Sequence, residues 1–247
     1  MAGPPTLAAN ARIVEREDLT DSIARFVVRP DGELARVEPG QYLTLGLVID
    51  GRLLQRPYST ATAPGERDAL EFLVRRVPGG AFTPHLWKLR AGDRLRIGRP
   101  KGMFTRIPGD LRTHLLVATG TGLAPFKAMV EASGREPVRP RTVLVHGVSR
   151  LAELAWRDRF ERLAAANELD YVPTISRPAD PANDGWTGRT GRAESVLDAV
   201  WTTAGLEASG TVAYLCGNPS MIAAAREILL GRALADDAIR SEHYWPG

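Results

Sequence analysis

The hydrophobic rhythm of this chain changes once, at Ile107-Pro108-Gly109-Asp110, and that change calls for two domains of different architecture. Before it the signals are short β-type runs: Ile23 to Arg29, Gln41 to Val48, Leu53 to Thr60, Leu70 to Val77 and Asp93 to Gly98. Turn residues separate them at Pro30-Asp31-Gly32, Pro39-Gly40, Asp50-Gly51, Pro64-Gly65, Pro78-Gly79-Gly80 and Ala91-Gly92-Asp93, the punctuation of antiparallel strands. A small antiparallel barrel is expected, with one short helix in Ala81 to Leu89. After the break, continuous apolar strands at His114 to Thr119, Thr142 to Val148, Leu169 to Ser176 and Thr211 to Cys216 alternate with helical stretches. Those begin at about Ala124 and run over Leu151 to Ala166, Ala193 to Thr202 and Pro219 to Leu230. This alternation predicts an α/β doubly wound parallel sheet, which binds ligands beyond the carboxyl ends of its strands. The expected domains are 1–110 and 111–247, and 247 residues suffice for two cores.

Within the first domain Arg56-Pro57-Tyr58-Ser59 sets a planar cation, a fixed φ, an aromatic face and a small hydroxyl side by side. Such a group suits a ligand with phosphate, a flat ring and a heteroatom acceptor, as a flavin dinucleotide has; a strand end with a satisfied arginine is the plain alternative. In the second domain Gly120-Thr121-Gly122 lies between an expected strand and an expected helix, where free amides can meet a phosphate. The following strand ends in His146-Gly147-Val148-Ser149-Arg150, with no acid to take a ribose 2′-hydroxyl, and this favours a phosphorylated ribose. Ser176-Arg177 at the next strand end, with Arg189 beyond it, offers charge-assisted bonds to a 2′-phosphate. Cys216-Gly217-Asn218-Pro219 repeats the arrangement of strand end, glycine and helix start. The tail, Ser241-Glu242-His243-Tyr244-Trp245-Pro246-Gly247, carries two aromatics that need covering.

Composition narrows the chemistry. One cysteine, Cys216, can build neither a disulfide nor an iron–sulfur cluster within the chain, so redox chemistry requires an organic cofactor or a partner's metal. No metal site is expected from four isolated histidines. No stretch is long and apolar enough to span a bilayer, and a cytoplasmic protein without membrane attachment is expected. Residues 1–110 hold 17 Lys and Arg against 13 Asp and Glu, concentrated between Arg75 and Lys101, which could steer an acidic partner or simply form a solvated face, the commoner case. Aromatic residues are not interleaved with these cations, so nucleic acid is not expected.

Taken together, Gly40-Gln41-Tyr42-Leu43-Thr44-Leu45-Gly46-Leu47, Arg56-Pro57-Tyr58-Ser59, Gly120-Thr121-Gly122, Cys216-Gly217-Asn218-Pro219 and the aromatic tail resemble ferredoxin–NADP reductases, most closely the bacterial ferredoxin/flavodoxin–NADP reductases. The resemblance covers nearly the whole chain. It implies a barrel binding FAD, a second domain binding NADP, and hydride transfer from NADPH to flavin N5 followed by single electrons to ferredoxin or flavodoxin. By the same resemblance Arg56 and Pro57 lie at the FAD pyrophosphate, Tyr58 stacks on the flavin and Ser59 bonds near N5. Leu73, Val74, Arg75 and Arg76 line the flavin, Ala81, Phe82 and Thr83 hold its phosphates, and Thr121 touches it from the second domain. Ser176, Arg177 and Arg189 take the 2′-phosphate and Cys216 borders the nicotinamide. Tyr244 covers the other flavin face, Trp245 the adenine, and Glu242 neighbours the reacting centre. Bacterial members commonly carry arginine where this chain has Ser149, so Ser149 and the adjacent Arg150 are the candidates for that subsite. The segment from Arg177 to Arg189 looks longer than usual, and Pro246-Gly247 extends past the tryptophan. A monomer is expected. An oxygenase reductase component or free flavin reductase would share both domains, and a non-catalytic flavin or nucleotide sensor is a further alternative.

Overall fold

The computed structural model describes residues 8–33, 36–63, 65 and 68–244. The first domain contains β1 (Ala11–Thr20), β2 (Ile23–Pro30), β3 (Tyr42–Ile49), β4 (Arg52–Ser59), β5 (Leu70–Arg75), the single turn of helix α1 (Thr83–Leu86) and β6 (Arg94–Ile97). These strands form an antiparallel sheet in the order β4-β3-β6-β1-β2-β5. Thr60, just past β4, bridges Phe72 in β5 and closes the sheet into a barrel. Alternate residues Phe26, Val28, Leu43, Leu45, Phe72 and Val74 fill its interior. The runs read from sequence match these strands to within two residues, except that β1 was not among them. Its outward positions Arg12, Glu15 and Glu17 are charged, and only Ala11 and Ile13 are buried, which masks the strand as a polar surface segment.

The second domain contains β7 (Thr113–Thr119), α2 (Leu123–Ser133), β8 (Thr142–Val148), α3 (Arg157–Ala165), β9 (Asp170–Ile175), β10 (Arg189–Thr190), α4 (Leu197–Thr203), β11 (Thr211–Gly217), α5 (Pro219–Gly231) and β12 (Ile239–His243). All six strands pair in parallel, in the order β10-β9-β8-β7-β11-β12. Leu115 and Val117 pack on the α4–α5 side, while Leu116 and Ala118 pack on the α2–α3 side, so β7 is buried on both faces. Two strands exceed the sequence reading. β10 has only two residues, and β12 is the start of the tail, whose charged positions hide its role as an edge strand.

The expected helix from Leu151 to Ala166 is interrupted. A 3-10 turn covers Leu151–Glu153, Trp156 adopts a left-handed φ of 52°, and α3 starts only after it. A bulky side chain in that region is costly, and tertiary contacts hold it there. Trp156 Nε1 donates to Glu71 Oε1 at 3.1 Å, and Lys127 Nζ lies 5.5 Å from the ring centroid.

Those contacts belong to a buried seam between the domains. Lys127 on α2 donates to the Ala61 carbonyl at 3.0 Å and pairs with Glu71 of β5 at 2.7 Å and with Glu131 at 3.3 Å. Arg25 reaches Glu71 from the barrel side at 3.3 Å, and Arg159 reaches Glu131 from α3 at 2.7 Å. Each half-buried carboxylate thus has cationic partners on more than one element, which compensates its loss of water.

Candidate functional site

The carboxyl ends of β7, β8, β9 and β11 face the open side of the barrel across a cavity of about 950 Å³. β4 brings Arg56, Pro57, Tyr58 and Ser59 to it. Tyr58 lies against Phe82, with ring centroids 6.1 Å apart and planes inclined by 36°. Burial pushes its phenol above the usual tyrosine range, against the opposing field of Arg56. The hydroxyl therefore stays protonated and the ring acts as an uncharged face.

Ser59 is buried, and its Oγ donates to Glu242 Oε2 at 2.7 Å. Glu242 arrives from the opposite domain because β12 pairs with β11 in a register that sets Cys216 beside Glu242 and Gly217 beside His243. Burial raises the Glu242 pKa, and the Ser59 hydrogen bond partly offsets that shift. Tyr244 follows, held by its backbone N–H donating to the Gly217 carbonyl at 2.9 Å. Its hydroxyl is buried beside Ser59 and Cys216. Burial drives this phenol well above its ordinary range, with Cys216 and Glu242 adding to the effect.

Cys216 itself lies behind the cavity wall. It is fully buried, and burial raises its thiol well above the ordinary range. The glycine turn packs directly on it: a Cβ on Gly122 would fall 2.4 Å from the Cys216 carbonyl oxygen, and one on Gly217 would fall 2.3 Å from Thr119 Oγ1. Gly217 also has φ +128°. Glycine is required at both positions for the two strand ends to approach so closely.

Of the other expected site residues, Leu73, Arg75, Ala81, Phe82, Thr83, Thr121, Ser149, Ser176 and Arg177 all line the cavity. Val74 points into the barrel core, leaving only its backbone for a ligand. Arg76 is exposed and off the cavity, with its backbone N–H donating to the Ser22 carbonyl at 2.7 Å. The Thr83 hydroxyl is committed to the preceding turn, accepting from Val77 N at 2.8 Å. Arg150 points instead to Asp180, with Nε to Oδ2 at 2.9 Å. Arg189 is exposed on β10 and does not reach the lining. Trp245, Pro246 and Gly247 lie outside the described residues.

Arg192, Glu153 and Asn183 are among the residues of the cavity region that escaped sequence reasoning. Arg192, three positions after Arg189 in the repeated Gly-Arg pattern of Gly188-Arg189-Thr190-Gly191-Arg192, lines the wall that Arg189 misses. Glu153 lines it too, with its side chain 8% exposed, and pairs with Arg75 across the domain boundary at 3.2 Å. Asn183 is buried and ties two strand-end loops together. It accepts from Leu151 N at 2.6 Å and donates to the Ser149 and Arg177 carbonyls at 3.1 and 2.7 Å. No local motif announces Glu153 or Asn183, because each acts through a partner distant in sequence.

The donor set suits a flat dinucleotide against the barrel and a second nucleotide across the strand ends. It offers aromatic faces from Tyr58 and Tyr244, cations at Arg56, Arg75, Arg177 and Arg192, and glycine turns at Gly120 and Gly217 that let a ligand approach the backbone. No cluster of His, Cys, Asp and Glu able to hold a metal ion occurs among the described residues, and no helix there is long and apolar enough to cross a membrane.

Comparison with known proteins agrees with this division. Residues 10–105 match the oxidoreductase FAD-binding domain and residues 116–227 the oxidoreductase NAD-binding domain. The chain is 34% identical to ferredoxin–NADP reductase B of Sorangium cellulosum over 82% of this chain and 83% of that protein. It is 33% identical to the reductase subunit of an aromatic O-demethylase of Amycolatopsis, over 98% of this chain and 71% of that one. A ferredoxin–NADP+ reductase of Neisseria gonorrhoeae, solved with FAD and NADP bound, shares the fold with a TM-score of 0.83, at 24% identity over 96% of this chain and 98% of the other.

Proposed function

The chain belongs to the ferredoxin–NADP reductase family of FAD- and NAD(P)-binding oxidoreductases, and from that premise we propose that it takes hydride from NADPH and passes single electrons to a ferredoxin or flavodoxin. The observation that carries this reading is the convergence of Tyr58 and Ser59 from one domain with Glu242 and Tyr244 from the other on a single cleft. Bound FAD supplies the exchange of one two-electron hydride for two one-electron steps. The protein's residues supply alignment. Arg56 neutralises phosphate at the outer rim, Arg75 adds charge beside Glu153, and the Tyr58 ring gives one stacking face. Ser59 Oγ, oriented by Glu242, is a fixed hydroxyl at the reacting edge, and the half-buried Glu242 carboxyl can hold a proton there. Cys216 and Gly217 shape the ground on which the nicotinamide rests, and Tyr244 must move aside to admit it. At the far end Ser176 and Arg177, with Ser149 and Arg192 nearby, take the adenosine ribose and its 2′-phosphate. We place the division between the FAD-binding and NADP-binding units at 110/111, and read the protein as a cytoplasmic monomer.

A second reading is favoured by the Amycolatopsis relative: electrons delivered to an oxygenase. Anaerobic reduction of the purified flavoprotein by NADPH and by NADH, followed by addition of ferredoxin, flavodoxin or an oxygenase component, separates the two. Faster reduction by NADPH and reoxidation by ferredoxin or flavodoxin, weakening as salt rises, support the first. No bleaching by either nucleotide overturns both.

A further inference from the structure

The Pro-rich segment after β9 leaves the cleft wall at Arg177 and folds into a fixed turn. Its turn is closed by the Asp180 N–H donating to the Arg177 carbonyl at 3.0 Å and by Ala182 N donating to Asp180 Oδ1 at 3.0 Å. Asn183, 2% exposed, then fastens the segment to Ser149 and Leu151 on the neighbouring strand end. The effect is to fix one carboxylate, Asp180, three residues beyond Arg177 and in direct contact with Arg150. The bond from Arg150 and the Ala182 amide hold its carboxyl below the usual range, with Arg177 also acting on it, so it is charged at neutral pH.

That charge lies off the cleft lining but in the turn that starts at Arg177, the residue read as bounding the adenosine ribose. A 2′-phosphate held by Arg177 meets a like charge nearby, and Arg150, the cation that would compensate it, is already engaged. A free ribose 2′-hydroxyl carries no charge for that carboxylate to repel. We propose that Asp180 is a specificity-determining residue that lowers the preference for 2′-phosphorylated over unphosphorylated pyridine nucleotide by repelling the phosphate and withholding Arg150 from it. This rests on the reading that Ser176 and Arg177 bound the ribose subsite.

The test measures binding of adenosine 2′,5′-bisphosphate and adenosine 5′-monophosphate to the FAD-loaded protein by titration calorimetry. Asp180→Asn keeps the acceptor for Ala182 N and removes the charge. It is expected to tighten the bisphosphate by about tenfold while leaving the monophosphate unimproved, the gain shrinking at high salt. The double variant Asp180→Asn/Arg150→Gln, which restores the net charge of the pair, is expected to return to within about twofold of wild type. The ratio of kcat/KM for NADPH over NADH follows the same order. An unchanged bisphosphate affinity in Asp180→Asn, with flavin spectrum and thermal midpoint intact, overturns the proposal. Arg177→Gln separates this outcome from failure of the premise. If it too leaves bisphosphate binding unchanged, the ribose subsite lies elsewhere. If it weakens binding while Asp180→Asn does not strengthen it, the subsite stands and Asp180 has no part in selectivity.

Discussion

Ser59 Oγ and Glu242 Oε2 lie 2.7 Å apart although 183 positions separate them in the chain. The bond joins the end of a barrel strand to the last strand of the parallel sheet, so the reacting edge of the cleft is assembled from both domains at once. Removing the donor should cost a charge-assisted hydrogen bond of ~1.5–3 kcal/mol, and Ser59→Ala is expected to slow anaerobic flavin reduction by about 10- to 100-fold. Because the serine bond lowers the Glu242 pKa against burial, its loss should also move any Glu242-dependent limb of the pH–rate profile to higher pH. Stopped-flow reduction from pH 5 to 9 reads both effects.

Glu242 has a stability signature of its own. Its native pKa is raised by burial, so the folded state keeps the proton to higher pH than the unfolded chain. The favourable contribution of protonated Glu242 is complete below the unfolded glutamate value of about 4.3 and is lost as pH rises through the native value. Glu242→Gln should therefore gain thermal stability relative to wild type across that interval, with the difference constant above it. Calorimetric scans at a series of pH values test the sign.

Tyr244 is expected to compete with nicotinamide for one side of the cleft. Tyr244→Ala should raise NADP+ affinity, by about tenfold if the blocked state dominates in wild type, while slowing productive hydride transfer. Difference spectroscopy and stopped-flow kinetics measure the two quantities. If neither changes, the tail does not gate the site.

Lys127→Met would leave Glu71 and Glu131 short of a shared cation in a buried setting. A loss of about 3 kcal/mol is expected, read as an earlier denaturant midpoint for flavin release. Hydrogen exchange should rise at β5 and α2 ahead of the outer strands, because the seam holds these two together.

Gly122→Ala would drive a methyl group to 2.4 Å from the Cys216 carbonyl. Backbone cannot yield as a flexible side chain can, so a destabilisation of about 1–3 kcal/mol is expected, together with weakened nucleotide binding. Thermal melts and NADP+ titration of the same variant check both.

Much of this architecture was legible in sequence because its determinants are local. The change of rhythm at Ile107-Pro108-Gly109-Asp110, the turn residues between barrel strands and the glycines at Gly120, Gly122 and Gly217 all act on their immediate neighbours. What escaped was set by tertiary partners. β1 escaped because charged outward positions conceal a strand whose inward residues are few. Trp156 breaks an otherwise continuous helical pattern only because Glu71 and Lys127 grip its indole. The arginines illustrate the same limit: Arg150 has the right chemistry at a strand end, but Asp180 holds it, while Arg192 reaches the wall that Arg189 does not. Residue type names a capability; only the surrounding loop decides where it is pointed.

The seam around Lys127 has a further consequence for turnover. With Glu71, Glu131, Ala61 and Trp156 gathered on one ammonium group, the two domains are joined by the chain's own side chains, with no ligand in the contact. The entropy of bringing the two halves of the cleft together is therefore spent in folding rather than in each encounter with nucleotide or electron acceptor. A molecule built this way can exchange one partner for the next by moving its Tyr244 tail while the two domains stay joined.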